Sequence, residues 1–300
     1  MFWLITTLLA YFFLAIVSLF DRYFLVGSIP NHKNYTFYIG IVGFFIGLIL
    51  LPFGIKVNEL TLILICLGLV AGFMRIFGVL FLAKSISQNE ISRVIPAMAG
   101  FLAIFSFILF WPGKEILNFS QTSAFVLLLI GSILISSKKL SFKFFTFKIL
   151  KHPMIAAFFF ALYIFLMKTL FLKTNFLTVF SLILIGGGLG VITFLFFPED
   201  RKNIFTQKLS FRISRLFLLG QCLGGLGVGF QNYAIFLAKP NQVPLINALE
   251  GARYVFLLFF VFLLSIWKPS ILKEEMKGAV IFQKILAILL IGAGLVLIAL

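Results

Sequence analysis

Apolar residues follow one another along most of this chain in runs about as long as the ~20 residues a helix needs to cross hydrocarbon. Lys, Arg, Pro and Gly gather between the runs. The runs fall near residues 2–22, 36–55, 60–83, 92–111 and 121–137, and after a break near 153–172, 175–197, 214–238, 242–267 and 281–300. They are uniformly apolar rather than amphipathic. Backbone groups in lipid must be bonded within the protein, so each run predicts a helix. A membrane β-barrel would instead alternate polar and apolar residues over segments of about ten, and no such alternation is present. The break between the two sets, residues 138–152, holds Lys138, Lys139, Lys143, Lys148 and Lys151 and is the clearest boundary in the sequence.

Composition places this pattern in a membrane. The 300 residues are 62% hydrophobic and only 11% charged, against about 25% charged in soluble domains. Ten crossings with short connectors use up the chain and leave no soluble domain. The run from Met1 to Phe20 lacks a basic leader and a small-residue cleavage site, and is expected to be a retained first span. The net charge of +16 would suit nucleic-acid binding if it formed a solvated patch. Nearly all its Lys and Arg lie instead in the connectors, where anionic headgroups attract them, so lipid and not nucleic acid is the expected partner. Cys66 and Cys222 fall inside apolar runs and are read as small packing residues, with neither a disulfide nor a metal cage.

The two sets of runs resemble each other in order. Phe81-Leu82-Ala83-Lys84 closes the third and Phe236-Leu237-Ala238-Lys239 the eighth. Val94-Ile95 and Ala97-Met98-Ala99-Gly100 parallel Leu245-Ile246 and Ala248-Leu249-Glu250-Gly251. Ala15 and Arg22 are spaced like Ala161 and Lys168, and Leu128-Leu129-Ile130-Gly131 matches Leu289-Leu290-Ile291-Gly292. Ordered matches of this kind indicate an internal repeat. The expected organisation is a five-helix repeat over 1–137, a basic linker over 138–152 and a second repeat over 153–300. Five being odd, the second repeat enters the membrane inverted. The fold class expected is all-α integral membrane, ten transmembrane helices as two inverted five-helix repeats around a central cavity.

With the short link from Lys84 to Arg93 before Val94-Ile95-Pro96, and with Leu249-Glu250 in span nine, this architecture resembles the drug/metabolite transporter superfamily, specifically its EamA-like members. The resemblance covers essentially the whole chain. It departs from the family pattern at Gly100 and Gly251, where such proteins often carry Pro, and at Trp267-Lys268-Pro269, where Gly-Glu is usual. It implies a carrier that recurrently places Leu-Glu where Leu249-Glu250 stands.

Most of the basic residues lie in odd-numbered connectors, whereas even-numbered ones hold only Lys56, Lys114, Lys168, Lys173 and Lys239. The positive-inside rule then puts the odd connectors in the cytoplasm and both termini outside. The expected location is a bacterial inner (cytoplasmic) membrane.

An ionisable group at membrane depth costs about 2.5–3.5 kcal/mol on insertion scales, so it marks function by default. Arg75 lies well inside span three. Glu250 and Arg253 lie in span nine three residues apart, hence on one helix face. They are read either as an ion pair that locks helices together or as solute-handling groups. Glu250 is the candidate for proton coupling, its ionisation set by the balance between burial and a neighbouring guanidinium. Uncharged candidates for solute binding are Tyr163, Gln221, Gln231, Asn232, Asn247 and Tyr254. Gln221 and Gln231 are ten residues apart, about 280° around a helix, and do not share a face. Arg22 and Lys168 sit toward span ends, where snorkelling to headgroups competes with a place at the cavity mouth. If they turn inward, Arg22, Arg75, Lys168 and Arg253 outnumber Asp21 and Glu250, which favours an anionic or zwitterionic solute. The pairs Gly43/Gly47, Gly68/Gly72, Gly186/Gly190, Gly220/Gly224 and Gly225/Gly229 have the spacing of close helix contacts. Gly224 to Gly229 lacks the Lys-Ser or Lys-Thr of a phosphate loop.

The function expected is a secondary transporter moving a small polar metabolite by alternating access, as an exporter or exchanger coupled to protons or to a second solute, with no cofactor. A lipid-carrier translocase is the nearest alternative. An integral membrane enzyme is a weaker one: His32 and His152 lie in connectors, and the acidic pairs Glu199-Asp200 and Glu274-Glu275 are expected to be solvated. The oligomeric state is open, and a monomer suffices.

Overall fold

The structure is a computed structural model and describes residues 2–54, 61–89, 91–110, 118–136, 147–267 and 278–299. The first part of the basic linker, Lys56, Lys114, Lys268, Pro269, Lys273, Lys277 and the pair Glu274-Glu275 lie outside the described residues. Every element among those described is helical. In order they are α1 (Phe2–Tyr23), α2 (His32–Gly54), α3 (Leu62–Gln88), α4 (Ile91–Phe110), α5 (Phe119–Ser136), α6 (Phe147–Phe171), α7 (Phe176–Ile192), α8 (Pro198–Thr206), α9 (Phe211–Leu237), α10 (Val243–Ala248), α11 (Glu250–Trp267) and α12 (Gly278–Ala299).

Where they are described, the apolar runs are helical, the ninth as two helices. Among the described residues six helices are long and apolar enough to cross a membrane: Phe2–Ser28, His32–Gly54, Leu62–Gln88, Leu150–Phe171, Phe176–Phe196 and Phe211–Leu237. Val94–Phe110, Phe119–Gly131 and Ile285–Gly294 are shorter apolar helices. Large apolar side chains are exposed on many of the helices, while the buried core, itself mostly apolar, also takes in polar and charged groups. Phe2, Leu62, Phe119 and Phe211 are 82%, 76%, 89% and 79% exposed, whereas Asn247, Glu250 and Arg253 are buried. An all-α protein with this distribution is compatible with an integral membrane protein.

Four local features differ from the sequence expectation. α6 starts at Phe147, so residues 147–152 of the expected linker are helical, with Pro153 inside the helix. α8 is an additional helix in a stretch expected to be a connector. Pro198 at its first turn has no N–H to leave unbonded, and Glu199 and Asp200 suit the positive helix start. Span nine is two helices, α10 and α11, which meet at Leu249. The cysteines are exposed rather than packed.

The helices group into two compact units, and each unit draws on both sequence halves. The first consists of Met1–Leu19, Asn89–Met154 and Leu223–Leu300. In it α5 lies along α12, and α4 packs on α5, α10 and α11. A Cβ on Gly131 would come 2.8 Å from Ile291, and one on Gly294 would come 2.8 Å from Leu128, so glycine on each helix admits the other.

The second unit consists of Phe20–Gln88 and Ile155–Cys222. Here α7 packs against both α2 and α3. Gly40 and Gly47 of α2 abut Val191, Leu184 and Ser181. Gly68 and Gly72 of α3 abut Leu182, Ile183 and Gly186, and Gly186 in turn abuts Leu69. The small-residue spacing thus marks real close approaches here. It fails at Gly225 and Gly229, where an added Cβ would meet nothing within 4 Å. α8 is fastened to the start of α2: Lys33 pairs with Asp200 at 2.6 Å, and the Asn34 Nδ2 donates to the Asn203 carbonyl at 3.0 Å and to Gln207 at 2.7 Å. Asp200 is therefore buried in an ion pair and not solvated, although Glu199 is exposed.

Candidate functional site

The first unit holds a polar cluster around the junction of α10 and α11. At Leu249 the helix tightens, with Ala252 N–H donating to the Leu249 carbonyl at 2.8 Å, three residues back. A helix that stops leaves the carbonyls of its last turn in need of donors. The Tyr11 hydroxyl, from α1, supplies one to the Ile246 carbonyl at 2.7 Å, and Gln231 of α9 donates to that hydroxyl at 3.5 Å. Next to the junction the Arg253 guanidinium donates to Glu250 at 3.0 Å. It also donates through Nε and a terminal nitrogen to the Ser18 Oγ, at 3.0 and 2.8 Å, and through Nε to the Leu14 carbonyl at 3.2 Å. The pair is thus closed in by protein and anchored to α1. Asn247, fully buried, donates to the Ser106 Oγ at 2.7 Å, and its Oδ1 has no partner among the described residues. Asn232 and Tyr254 are buried in the same unit.

The second unit holds the remaining candidates. Arg75 stands at the midpoint of α3. It lies deep in the protein, with Tyr163 of α6 its electrostatic neighbour, yet it keeps some accessible surface. Among the described residues no carboxylate pairs with it. Gln221 reaches Tyr35, whose hydroxyl donates to Asp21. Neither end-of-span cation simply snorkels. Arg22 donates to the Ile86 carbonyl, in the last turn of α3, at 2.6 Å, and Lys168 is buried.

The candidate residues therefore separate into two groups. Gln231, Asn232, Asn247, Glu250, Arg253 and Tyr254 belong to the first unit, and Arg22, Arg75, Tyr163, Lys168 and Gln221 to the second. Sequence reasoning misses Tyr11, Ser18 and Ser106. Tyr11 and Ser18 lie seven residues apart on the buried stripe Thr7, Ala10, Tyr11, Leu14, Ala15 and Ser18, while Phe2, Ile5, Leu9 and Phe12 are exposed. That stripe of small and polar residues at helical spacing is the signal that points to them.

No protein-family model and no curated protein matches the sequence. A solved structure, described only as "Crystal structure of protein", is similar to the chain, with a TM-score of 0.61 at 18% identity over 99% of this chain and 94% of its own. At that identity the likeness shows a shared fold alone.

Proposed function

We propose that this chain is a secondary transporter of the EamA-like, drug/metabolite type, with ten transmembrane helices in two inverted five-helix repeats. It moves a small polar metabolite across a bacterial cytoplasmic membrane by alternating access. The observation that carries this reading is a broken helix beside buried ionisable groups. Irregular backbone at membrane depth is tolerated where it is buried in protein or lines a cavity, and carriers use interrupted helices to hold solute and coupling ions. The Leu249 junction with Glu250 and Arg253 has that form.

The packing of equivalent helices favours the repeat. α2 and α7 are second in their halves, α5 and α12 fifth, and the members of each pair pack against each other. A pseudo-two-fold axis brings equivalent helices together in this way. In the α5–α12 pair the close approaches are Gly131 to Ile291 and Gly294 to Leu128.

In this mechanism Glu250 is the coupling residue. Its bond to Arg253 holds the junction to α1 through Ser18, and a proton on the carboxylate removes the charged half of that bond. The test is flux in proteoliposomes with a panel of water-soluble metabolites, with and without a proton gradient. Saturable uptake and counterflow are expected, and Glu250→Gln should abolish gradient-driven accumulation while sparing counterflow. Gradient-driven accumulation undiminished in Glu250→Gln would refute proton coupling at this residue. If no soluble solute moves and a lipid copurifies, the carrier is a lipid translocase.

A further inference from the structure

We propose that the solute carries an oxyanionic group, a carboxylate or a phosphate, and that Arg75 with Tyr163 beside it forms the site that receives it. The inference rests on the carrier reading and narrows it to one substrate class. Arg75 is central in α3 (Leu62–Gln88), so about 20 Å of helix separates it from either end, farther than an arginine snorkels. Arg253 shows what a satisfied buried arginine looks like, with Glu250, Ser18 and a backbone carbonyl as acceptors. Arg75 has no carboxylate among the described residues and keeps accessible surface. A planar guanidinium in that condition matches a carboxylate or phosphate with two parallel hydrogen bonds.

The neighbouring backbone points the same way. In the Gly186-Gly187-Gly188 run of α7, a Cβ on Gly186 would strike the Leu69 backbone and one on Gly188 would strike Phe44. Packing therefore accounts for both. Gly187 is different: the atoms nearest an added Cβ are the Gly72 carbonyl at 3.5 Å, the Arg75 guanidinium at 3.9 Å and Ile76 at 3.9 Å, all ordinary contacts. Helix packing does not demand glycine there, and its absent side chain leaves room next to the guanidinium.

The experiment uses the full chain in nanodiscs of zwitterionic phosphatidylcholine, read by thermal unfolding, and in liposomes, read by counterflow. The probes are succinate, benzoate, inorganic phosphate and glycerol 3-phosphate, each beside a neutral counterpart such as succinamide, benzamide or glycerol. At least one anion should stabilise the wild type and exchange, and its neutral counterpart should not. Arg75→Gln should raise the half-saturating concentration of that anion about tenfold or more, the loss of a charged hydrogen-bond pair, with Arg75→Lys intermediate. Gly187→Ala, whose Cβ meets ordinary contacts, leaves the arginine in place and should weaken the same anion, which keeps the test readable if Arg75→Gln does not fold.

Nanodiscs containing phosphatidylglycerol separate the two sources of phosphate. Stabilisation by that lipid, lost in Arg75→Gln, assigns the site to a headgroup. Exchange of neutral or cationic solutes with anions ignored would overturn the anion site and leave the carrier standing. Anion stabilisation that depends on Arg75 without any flux would keep the site and sink the carrier. Anion binding indifferent to both Arg75 and Gly187 overturns the proposal.

Discussion

Arg253 and Arg75 are both held deep on helices, but they are held by opposite means. Around Arg253 every acceptor comes from the protein, and the charge is matched by Glu250 three residues away. Removing one partner of such a pair strands the other without solvent, which costs about 3–5 kcal/mol, whereas removing both costs far less. Arg253→Met should therefore destabilise the protein by that amount in detergent unfolding. Adding Glu250→Gln to Arg253→Met should recover about 1–3 kcal/mol of it, the coupling that a double-mutant cycle reads for groups in contact. Equal losses in the single and the double variant would mean that the pair does not lock α11 to α1. At this scale the sequence is informative about which residues matter and silent about who satisfies whom. Glu250 and Arg253 are legible as an i, i+3 pair, but Ser18 and Tyr11 come from a helix more than two hundred residues away, and no local spacing encodes that meeting.

The helices themselves are legible because a lipid-crossing segment needs an unbroken apolar length, which a linear reading detects directly. What escapes such a reading are departures from that rule. Span nine breaks at Leu249 with neither Gly nor Pro at the break itself, although Gly251 follows two residues later. α8 is polar and short, and its start signal, Pro198 followed by Glu199 and Asp200, reads in sequence as a solvated turn although Asp200 closes onto Lys33. Glycine spacing finds the α2–α7 and α3–α7 contacts but not which glycines are obligatory. Gly72 is, since a Cβ there would fall on the backbone of Ile183 and Gly186, which cannot rotate away. Gly72→Leu should cost at least about 2 kcal/mol of stability or abolish membrane accumulation, the penalty of overpacking where no side chain can yield. Gly225→Ala, with open space around it, should be neutral or slightly stabilising, because alanine favours a helix by up to about 1 kcal/mol over glycine. Comparable losses at the two positions, measured by thermal unfolding, would contradict the packing described for α3 and α7.

For the whole molecule the decisive property is the direction in which each helix enters the bilayer. The ten crossings proposed would return the chain to the side where it started, and both termini would then share a compartment. Basic connectors choose that compartment, because Lys and Arg next to a span resist translocation. The connectors expected after spans one, three, five, seven and nine are the basic ones, the seventh with Arg201, Lys202 and Lys208 between α7 and α9 and Arg212 and Arg215 at the start of α9. They should lie in the cytoplasm. Alkaline phosphatase, which works only after export, should then be active when fused after Leu300 and inactive when inserted among residues 138–146. A fluorescent protein that matures only in the cytoplasm should give the reverse. The inverted repeat proposed makes the outcome discriminating, since an odd crossing number in each half is what would turn the second half over. A C-terminal fusion active only in the cytoplasm would require an odd total, or the opposite orientation of every helix. A reporter fused ahead of Phe2 separates these. If the two termini report opposite sides, one half has lost a crossing and the inversion with it; if both report the cytoplasm, the repeat stands and only the orientation read from the lysines and arginines is reversed.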